Sequence, residues 1–301
     1  MDIWGIVVIA ILGAGLLAAV WGIAVERQLF VIREQELGIL PEGSKPLKVL
    51  HISDFHLAPW QRRKINFIRS LGKLEPDLVI STGDILGHPD SIPTAARAMS
   101  RLLNFPGFFV NGSNDYFAPV LRNPFAYLAK PSEQSDGEKL DTVKLLKSFR
   151  KAGWHNLNND VSNQRIKGLR IGFMGVDDAH DDRDDLETVA ERSRLIDNCD
   201  LMIGITHAPY MRVIESMTTN GAQLIFAGHT HGGQVRLPGF GALTTNCDLP
   251  NKFARGTSAW QFGNKQSILN VCAGLGHSIF APVRFFCRPE VRLLTLVAKA
   301  S

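Results

Sequence analysis

The sequence predicts an α/β fold with one N-terminal transmembrane helix, and three observations support this prediction. An uncharged apolar run opens the chain. Behind it, short apolar runs alternate with amphipathic stretches in a βαβαβ order that is typical of a mostly parallel sheet. The second half is richer in strands than in helices. We therefore predict two packed sheets with helices outside them, in one catalytic domain over residues 47–301.

The opening run extends from Ile3 to Val25 without a charged residue. As a helix it would be roughly 34 Å long, enough to cross the hydrocarbon core of a bilayer. Trp4 and Trp21 lie near its ends, where indole rings favour the membrane interface. We predict a transmembrane anchor over residues 1–26, followed by a linker over residues 27–46.

A cleavable signal peptide is the alternative interpretation of this run, with the small residues around Ala24 as its cleavage site. No Lys or Arg precedes the run, and it is longer than a usual signal-peptide core, so an uncleaved anchor is favoured. Arg27 and Arg33 follow it. The positive-inside rule therefore favours a single-pass protein of the cell membrane with its catalytic domain in the cytoplasm.

The predicted elements of the domain follow from periodicity. The predicted strands are Leu47–Ser53, Asp77–Thr82, Gly107–Asn111, Val161–Lys167, Leu169–Val176, Leu201–Thr206, Gln223–Ala227, Ser267–Cys272 and Val291–Val297. The predicted helices are Arg62–Leu74, Ile92–Leu103, Thr142–Ala152 and Asp184–Asn198. Between them, Phe117 to Asp141 holds three prolines and is predicted to be an inserted loop, a type of segment that often serves as a lid.

Composition excludes several classes of protein. With 45% hydrophobic and 21% charged residues, the chain is a normal globular protein. Its net charge of +4 suits an anionic substrate or membrane surface. It has no dense Lys/Arg stripe, so nucleic acid is not an expected partner. The four cysteines form no CxxC pair and are expected to be reduced thiols.

Five of the apolar runs end in polar residues, at the strand edge where open α/β sheets form ligand sites. The five segments are Asp54-Phe55-His56, Gly83-Asp84, Gly112-Ser113-Asn114-Asp115, His207-Ala208-Pro209 and Gly228-His229-Thr230-His231. In an extended segment alternate side chains point the same way, so Asp54 and His56 are expected to face one metal ion. By the same alternation, His51 points to the opposite face and is expected to be structural.

These segments, DFH, GD, GSND, THAP and GHTHGGQ, resemble the calcineurin-like metallophosphoesterase superfamily from about Lys45 to the C-terminus. The stretch from Gly274 to Glu290 is similar to its membrane-associated bacterial branch. The resemblance implies a four-layer αββα sandwich of two mixed sheets. It also implies two divalent metal ions, such as Mn, Fe or Zn, and hydrolysis of phosphodiesters or phosphomonoesters by a hydroxide that bridges them.

The resemblance further implies a ligand set. Asp54, His56 and His231 would hold one ion, Asp84 would bridge both, and His207, His229 and an amide would hold the other. The superfamily usually has Gly-Asn-His-Asp where this chain has Gly112-Ser113-Asn114-Asp115. We expect Asn114 to be the amide ligand and, with Asp84, a catalytic residue, because an amide oxygen binds hard cations better than a hydroxyl. Ser113 is the alternative ligand.

The same departure removes the histidine that assists catalysis in the superfamily. His180 and His277 are candidate substitutes, although an ordinary packing role is the simpler interpretation of each. The loss also motivates an alternative function, a catalytically weakened metal-binding or interaction protein. Arg122, Phe125 and Tyr127 make the inserted loop amphipathic, so a lipid-linked phosphoester is one predicted substrate. Arg284 is expected either to contact a phosphate or to form a structural ion pair.

Overall fold

The computed structural model describes residues 2–121, 137–196, 198–277 and 279–299. Its helices are α1 Ile3–Val20, α2 Arg62–Ser70, α3 Ile92–Met99, α4 Ser113–Tyr116, α5 Thr142–Lys151, α6 Leu186–Ser193 and α7 Met211–Thr219. Its strands are β1 Val31–Leu40, β2 Leu47–Ile52, β3 Leu78–Ser81, β4 Gly107–Phe109, β5 His155–Asn156, β6 Asp160–Ile166, β7 Leu169–Gly175, β8 Leu201–Ile205, β9 Leu224–Ala227, β10 Arg236–Leu237, β11 Gly241–Ala242, β12 Gly256–Phe262, β13 Lys265–Val271 and β14 Glu290–Ala298.

Two six-stranded mixed sheets form the centre of the molecule. The first has the order β1-β14-β2-β3-β4-β5, and the second has the order β12-β13-β9-β8-β7-β6. In the first sheet β14 runs antiparallel to β2, whereas β2, β3, β4 and β5 are parallel. In the second sheet β13, β9, β8 and β7 are parallel, with antiparallel strands at both edges. The prediction of two mixed sheets is confirmed.

The two sheets pack face to face over an apolar core, in which Phe108 of β4 stacks on Phe173 of β7 with ring centroids 3.7 Å apart. On the outer face of the first sheet, α2 buries Ile65 and Ile68, as their three-residue spacing predicts. Helices α3 and α5 lie on the same face, and α6 and α7 cover the second sheet. The four-layer αββα architecture is confirmed.

Strand β1 lies inside the predicted linker, so the linker prediction over residues 27–46 does not hold for residues 31–40. The strand pairs in parallel with β14 from Val31 to Leu40. It is an edge strand, and four consecutive polar residues, Arg33 to Glu36, interrupt its apolar residues, which hides it from a search for apolar runs. The edge strand β12 and the helix α7 were missed as well. Most of the predicted inserted loop, residues 122–136, lies outside the described residues.

One helical segment among the described residues, Ile3–Gln28, is long and apolar enough to cross a membrane. It comprises α1, a five-residue π-turn over Trp21–Val25 and a 3₁₀ turn over Glu26–Gln28. Its apolar side chains are exposed, which distinguishes it from a core helix. The end of the segment is attached directly to the domain.

The attachment centres on the buried side chain of Glu26. Its carboxylate accepts the main-chain N–H groups of Cys287, at 2.6 Å, and Phe286, at 3.0 Å, and the indole N–H of Trp21, at 2.9 Å. One turn earlier, the Gly22 carbonyl accepts the Arg284 N–H at 3.2 Å. A Cβ on Gly22 would lie 2.9 Å from the Arg284 carbonyl oxygen, so only glycine permits this approach. The apolar helix is therefore held against the loop that carries Arg284.

Candidate metal centre

The five polar segments lie at the C-terminal ends of β2, β3 and β4 in the first sheet and of β8 and β9 in the second. Two groups of potential ligand atoms form there, each with its atoms within 4.8 Å of one another. One group is Asp54, His56 and His231, and the other is Asp54, Asp84 and His207. The polar ends of strands that are far apart in sequence therefore meet at one place, where the chain can hold cations.

Asp84 belongs to the second group and also contacts a histidine of the first. Its Oδ2 atom is 3.3 Å from Nε2 of His56 and 3.6 Å from Nε2 of His207. Asp54 belongs to both groups, and its carboxylate accepts the main-chain N–H of His229 at 3.1 Å. Asp54 is thus the carboxylate that both groups share, whereas the resemblance implied that Asp84 would bridge the two ions.

The imidazole of His207 fits a metal ligand. Its Nδ1 donates to the Thr82 carbonyl at 2.6 Å, which leaves Nε2 unprotonated in the neutral ring. That Nε2 atom is buried and has no hydrogen-bond partner. Burial lowers the pKa of His207, but three carboxylates, Asp84, Asp178 and Asp54, outweigh it and raise the pKa to about 9. The carboxylates around His207 therefore stabilise positive charge at this place, which is a property that a cation-binding site requires.

His229 lies beside these groups but belongs to neither. Its ring centroid is 5.3 Å from that of His207. Its Nε2 is 3.0 Å from the carbonyl oxygen of Asn246 and must donate to it, because a carbonyl only accepts. The neutral ring then keeps an unprotonated Nδ1, so His229 could coordinate through that atom. Hydrogen bonding of the second ring nitrogen to a carbonyl is the usual way to fix a ligating histidine.

The GSND segment places its asparagine on the Asp84 carboxylate. Asn114 donates its main-chain N–H to Oδ1 at 2.9 Å and its Nδ2 to Oδ2 at 2.8 Å. Ser113 is buried beside it. Asp115 accepts four main-chain N–H groups, from Gly112, Asp84, Ile85 and Leu86, and so joins the ends of β3 and β4. A Cβ on Gly112 would overlap both Asp84 and the His207 ring, which explains the glycine.

Five of the candidate ligands have left-handed backbone conformations: Asp54, His56, Asp84, His229 and His231, with φ between 41° and 66°. Such residues cost of order 1 kcal/mol or more each, and they accumulate at functional sites where the surrounding fold compensates for them. The side chains of Asp54 and His56 therefore approach one another because the backbone turns at both residues. The expectation that they converge by alternation along an extended segment was wrong.

A chain of hydrogen bonds runs from His51 to the site. Asn270 Nδ2 donates to Nδ1 of His51 at 2.8 Å, so Nε2 carries the ring proton and donates to the Thr82 hydroxyl at 3.0 Å. The Thr82 hydroxyl donates to the Ser53 hydroxyl at 2.6 Å, and Ser53 donates to Asp54. His51 thus acts as a positioning residue behind Asp54, which agrees with its expected structural role.

We expect His51 to make folding sensitive to acid. Burial, followed by repulsion from Arg292, lowers its pKa well below the usual 6.5. Its contribution to stability is complete above pH 6.5 and shrinks as the pH falls below 6.5, because only the unfolded chain then takes up the proton. The slope for one such group reaches about 1.4 kcal/mol per pH unit. Unfolding of the full chain in detergent with a chelator, followed between pH 7.5 and 5.5, should show a smaller slope for His51→Gln than for the unchanged chain.

Within the described residues Arg284 forms no ion pair within 4.0 Å, so the expected structural ion pair is not found there. It is fully buried and donates to the main-chain carbonyls of Gly276, at 3.1 Å from Nε, of Ala273, at 2.8 Å, and of His231, at 3.0 Å. Its Nη2 also lies 3.3 Å from Nδ1 of His231. A guanidinium only donates, so Nδ1 of His231 is the acceptor in this contact. Arg284 therefore connects the attachment of the apolar helix to a candidate ligand.

Replacing Arg284 by lysine should reduce the affinity for Mn²⁺ by about 10–100-fold, the range found for residues that position metal ligands. An ammonium retains the charge but cannot reproduce the planar set of donors that reaches four carbonyls, those of His231, Ala273, Gly274 and Gly276. Isothermal titration of the full chain measures the effect. Arg288→Lys is the matched control, because Arg288 lies on the same loop, is exposed and, in the part of the chain that the structure describes, donates only to the Leu29 carbonyl. Equal affinities in both variants would contradict the positioning role.

The two candidate substitutes for the missing histidine lie in different places. The ring of His180 is 4.6 Å from that of His229, and its Nδ1 is 3.0 Å from the Tyr210 hydroxyl. His277 instead lies by Arg27, at the end of the apolar helix. Sequence reasoning did not single out Asp178, a buried carboxylate whose pKa burial raises to about 7. Its position directly after β7 was the available signal, since the other candidates also follow strands.

Comparison with known proteins gives a family match over residues 47–233, to the family described as calcineurin-like phosphoesterase. An uncharacterised metallophosphoesterase of Bacillus subtilis is 27% identical over 86% of this chain and 82% of its own. One from Aquifex aeolicus is 24% identical over 87% and 89%. A bovine transmembrane protein with a metallophosphoesterase domain is 27% identical over 65% of this chain and 43% of its own.

Proposed function

Since the chain belongs to the calcineurin-like phosphoesterase family, we propose that it hydrolyses phosphodiester or phosphomonoester bonds with two divalent metal ions held by Asp54, His56, Asp84, Asn114, His207, His229 and His231. The observation that carries this proposal is the buried, unpartnered Nε2 of His207 beside the carboxylates of Asp54 and Asp84. A buried ring nitrogen and two carboxylates that face one space favour positive charge there, either the proton that the raised pKa of His207 retains or a bound metal cation that would replace it.

The chain's own groups would divide the work as follows. When bound, the ions supply charge neutralisation and lower the pKa of a bound water. Asp84 orients both ligand sets, because it contacts a histidine of each. Asn114, attached to Asp84 by two hydrogen bonds, would use its carboxamide as a ligand and as a donor to a phosphoryl oxygen. Thr82 and Asn246 fix the tautomers of His207 and His229.

The test is metal-dependent hydrolysis by the full chain in a neutral detergent. Bis-p-nitrophenyl phosphate and p-nitrophenyl phosphate are compared with Mn²⁺ and with chelator, for the unchanged chain, His229→Ala and the exposed control His155→Ala. The proposal requires activity that chelation and His229→Ala abolish and His155→Ala retains. The preferred ester then distinguishes a diesterase from a monoesterase. Binding of about two ions without hydrolysis of either ester would instead favour the weakened metal-binding protein.

We further propose that the chain is retained in the cell membrane by residues 3–28, with the catalytic domain on the cytoplasmic side and a lipid-linked ester as its substrate. Two contacts support retention. Cleavage after Ala24 would remove both Gly22 and Trp21, which contact Arg284 and Glu26. Protease protection of the domain in sealed inverted and right-side-out vesicles tests the orientation.

A further inference from the structure

A basic pocket opens where the apolar helix meets the domain. Its volume is about 290 Å³. The residues that matter for its chemistry are Arg27, Trp60, Arg62, Arg63, Lys64 and His277. They come from the end of the helix, from the start of α2 and from the loop that follows β13. The pocket therefore exists only where the membrane segment and the domain come together.

The charges of this pocket are not balanced by acids. None of the residues that line it is acidic, and within the described part of the chain Arg27, Arg62, Arg63 and Lys64 form no ion pair within 4.0 Å. Residues 60–64 all line the pocket, so the positive end of the α2 dipole adds to the same potential. An anion is the ligand that this arrangement would stabilise.

The position of the pocket identifies the kind of anion. Arg27 and Gln28 are at the end of the segment that is apolar enough to cross a membrane, so the pocket would lie at the depth of the lipid headgroups in a chain that is retained in the membrane as proposed above. Trp60 is 61% exposed at the pocket and Phe286, bonded to Glu26 through its main chain, is 54% exposed. Exposed aromatic rings beside basic side chains are characteristic of protein surfaces at a membrane interface.

We propose that this pocket binds the phosphate of an anionic phospholipid headgroup, with Arg62 and Arg63 as its principal contacts. The site is separate from the candidate metal centre and does not depend on hydrolysis. It is coupled to that centre through Lys64, which donates to the carbonyl of Phe55 at 2.7 Å, between Asp54 and His56. A bound headgroup therefore fixes the domain on the membrane and supports the loop that carries two candidate ligands.

The experiment is native mass spectrometry of the full chain in a neutral detergent, with phosphatidylglycerol and phosphatidylcholine of identical acyl chains. Arg62→Gln/Arg63→Gln is compared with Arg69→Gln/Lys73→Gln, which removes two exposed charges at the other end of α2 and outside the pocket. We expect the unchanged chain and the control to bind phosphatidylglycerol at least about tenfold more tightly than phosphatidylcholine. The pocket variant should lose this preference, since each basic contact near a membrane surface contributes appreciably.

Three results would overturn the proposal. The first is equal binding of the two lipids by the unchanged chain. The second is an equal loss in both double variants, which indicates nonspecific attraction to net charge. The third is displacement of phosphatidylglycerol by an equimolar amount of inorganic phosphate, which indicates a site for the free anion. Because all four substituted side chains are exposed, an unchanged unfolding midpoint confirms that each variant is folded.

Discussion

Asp84→Asn should reduce metal-dependent phosphoester hydrolysis by at least about 10³-fold, the equivalent of roughly 4 kcal/mol of transition-state stabilisation. The substitution preserves the shape of the side chain but removes its charge between His56 and His207, whose Nε2 atoms lie 3.3 and 3.6 Å from Oδ2. Both carboxylate oxygens of Asp84 accept N–H groups of Asn114, and the substitution replaces one of these oxygens by an NH2 group, which cannot accept. Both the number of bound ions and the turnover rate should therefore fall.

The measurements are kcat on bis-p-nitrophenyl phosphate and the number of Mn²⁺ ions per chain after desalting. Asp90→Asn is the matched control, because it makes the same chemical change at a side chain that is 84% exposed and that, among the described residues, pairs only with His88. A variant that is folded, binds two ions and keeps its activity within tenfold would exclude Asp84 from the position between them. A loss of folding alone is recognised by a shift in the unfolding midpoint, which we expect to be small.

The sequence contained enough information to predict the sheets and most of the candidate site, because both depend on local signals. Apolar runs marked the buried strands, and polar residues at the end of each run marked the edge where the strands meet. Strand β1 was not predictable in this way, since its polar residues face solvent at the edge of the sheet. Its place is decided by pairing with β14, which is more than 250 residues away in the chain.

The backbone of the site was likewise beyond local pattern reading. Nothing in the segment Asp54-Phe55-His56 indicates that Asp54 and His56 have positive φ angles. That conformation depends on hydrogen bonds to the end of the neighbouring strand, because the N–H groups of Asp54 and His56 donate to the carbonyls of Gly83 and Asp84. The role of Glu26 is a similar case. In the sequence, a single acidic residue after an apolar run resembles the polar residues that follow a membrane-spanning helix. In the structure, the Glu26 carboxylate is buried and accepts the main-chain N–H groups of Phe286 and Cys287.

The double variant Ser113→Asn/Asn114→His should raise kcat by about 10²–10⁴-fold, which is the usual contribution of a general acid. It restores the order Gly-Asn-His-Asp implied by the family resemblance, with an amide at the ligand position and an imidazole where Asn114 now donates to Asp84. The gain should be larger for phenyl phosphate than for p-nitrophenyl phosphate, because p-nitrophenolate departs with little need of a proton. Asn114→His alone is the control, since it supplies the imidazole but leaves Ser113 in place of the amide.

The leaving-group dependence separates two explanations for the missing histidine. If the unchanged chain works without an acid, its rate must fall steeply from p-nitrophenyl to phenyl phosphate, and the double variant must flatten that dependence. If another group already protonates the leaving oxygen, the dependence is shallow from the start and the added histidine gains nothing. His180 is the group to remove in that second case, because its ring lies 4.6 Å from His229 and is hydrogen bonded to Tyr210. If the rate of the unchanged chain depends weakly on the leaving group and the rate of His180→Asn depends on it strongly, His180 is the general acid. The general acid of this chain would then lie outside the GSND segment, which has an asparagine in place of the superfamily's histidine.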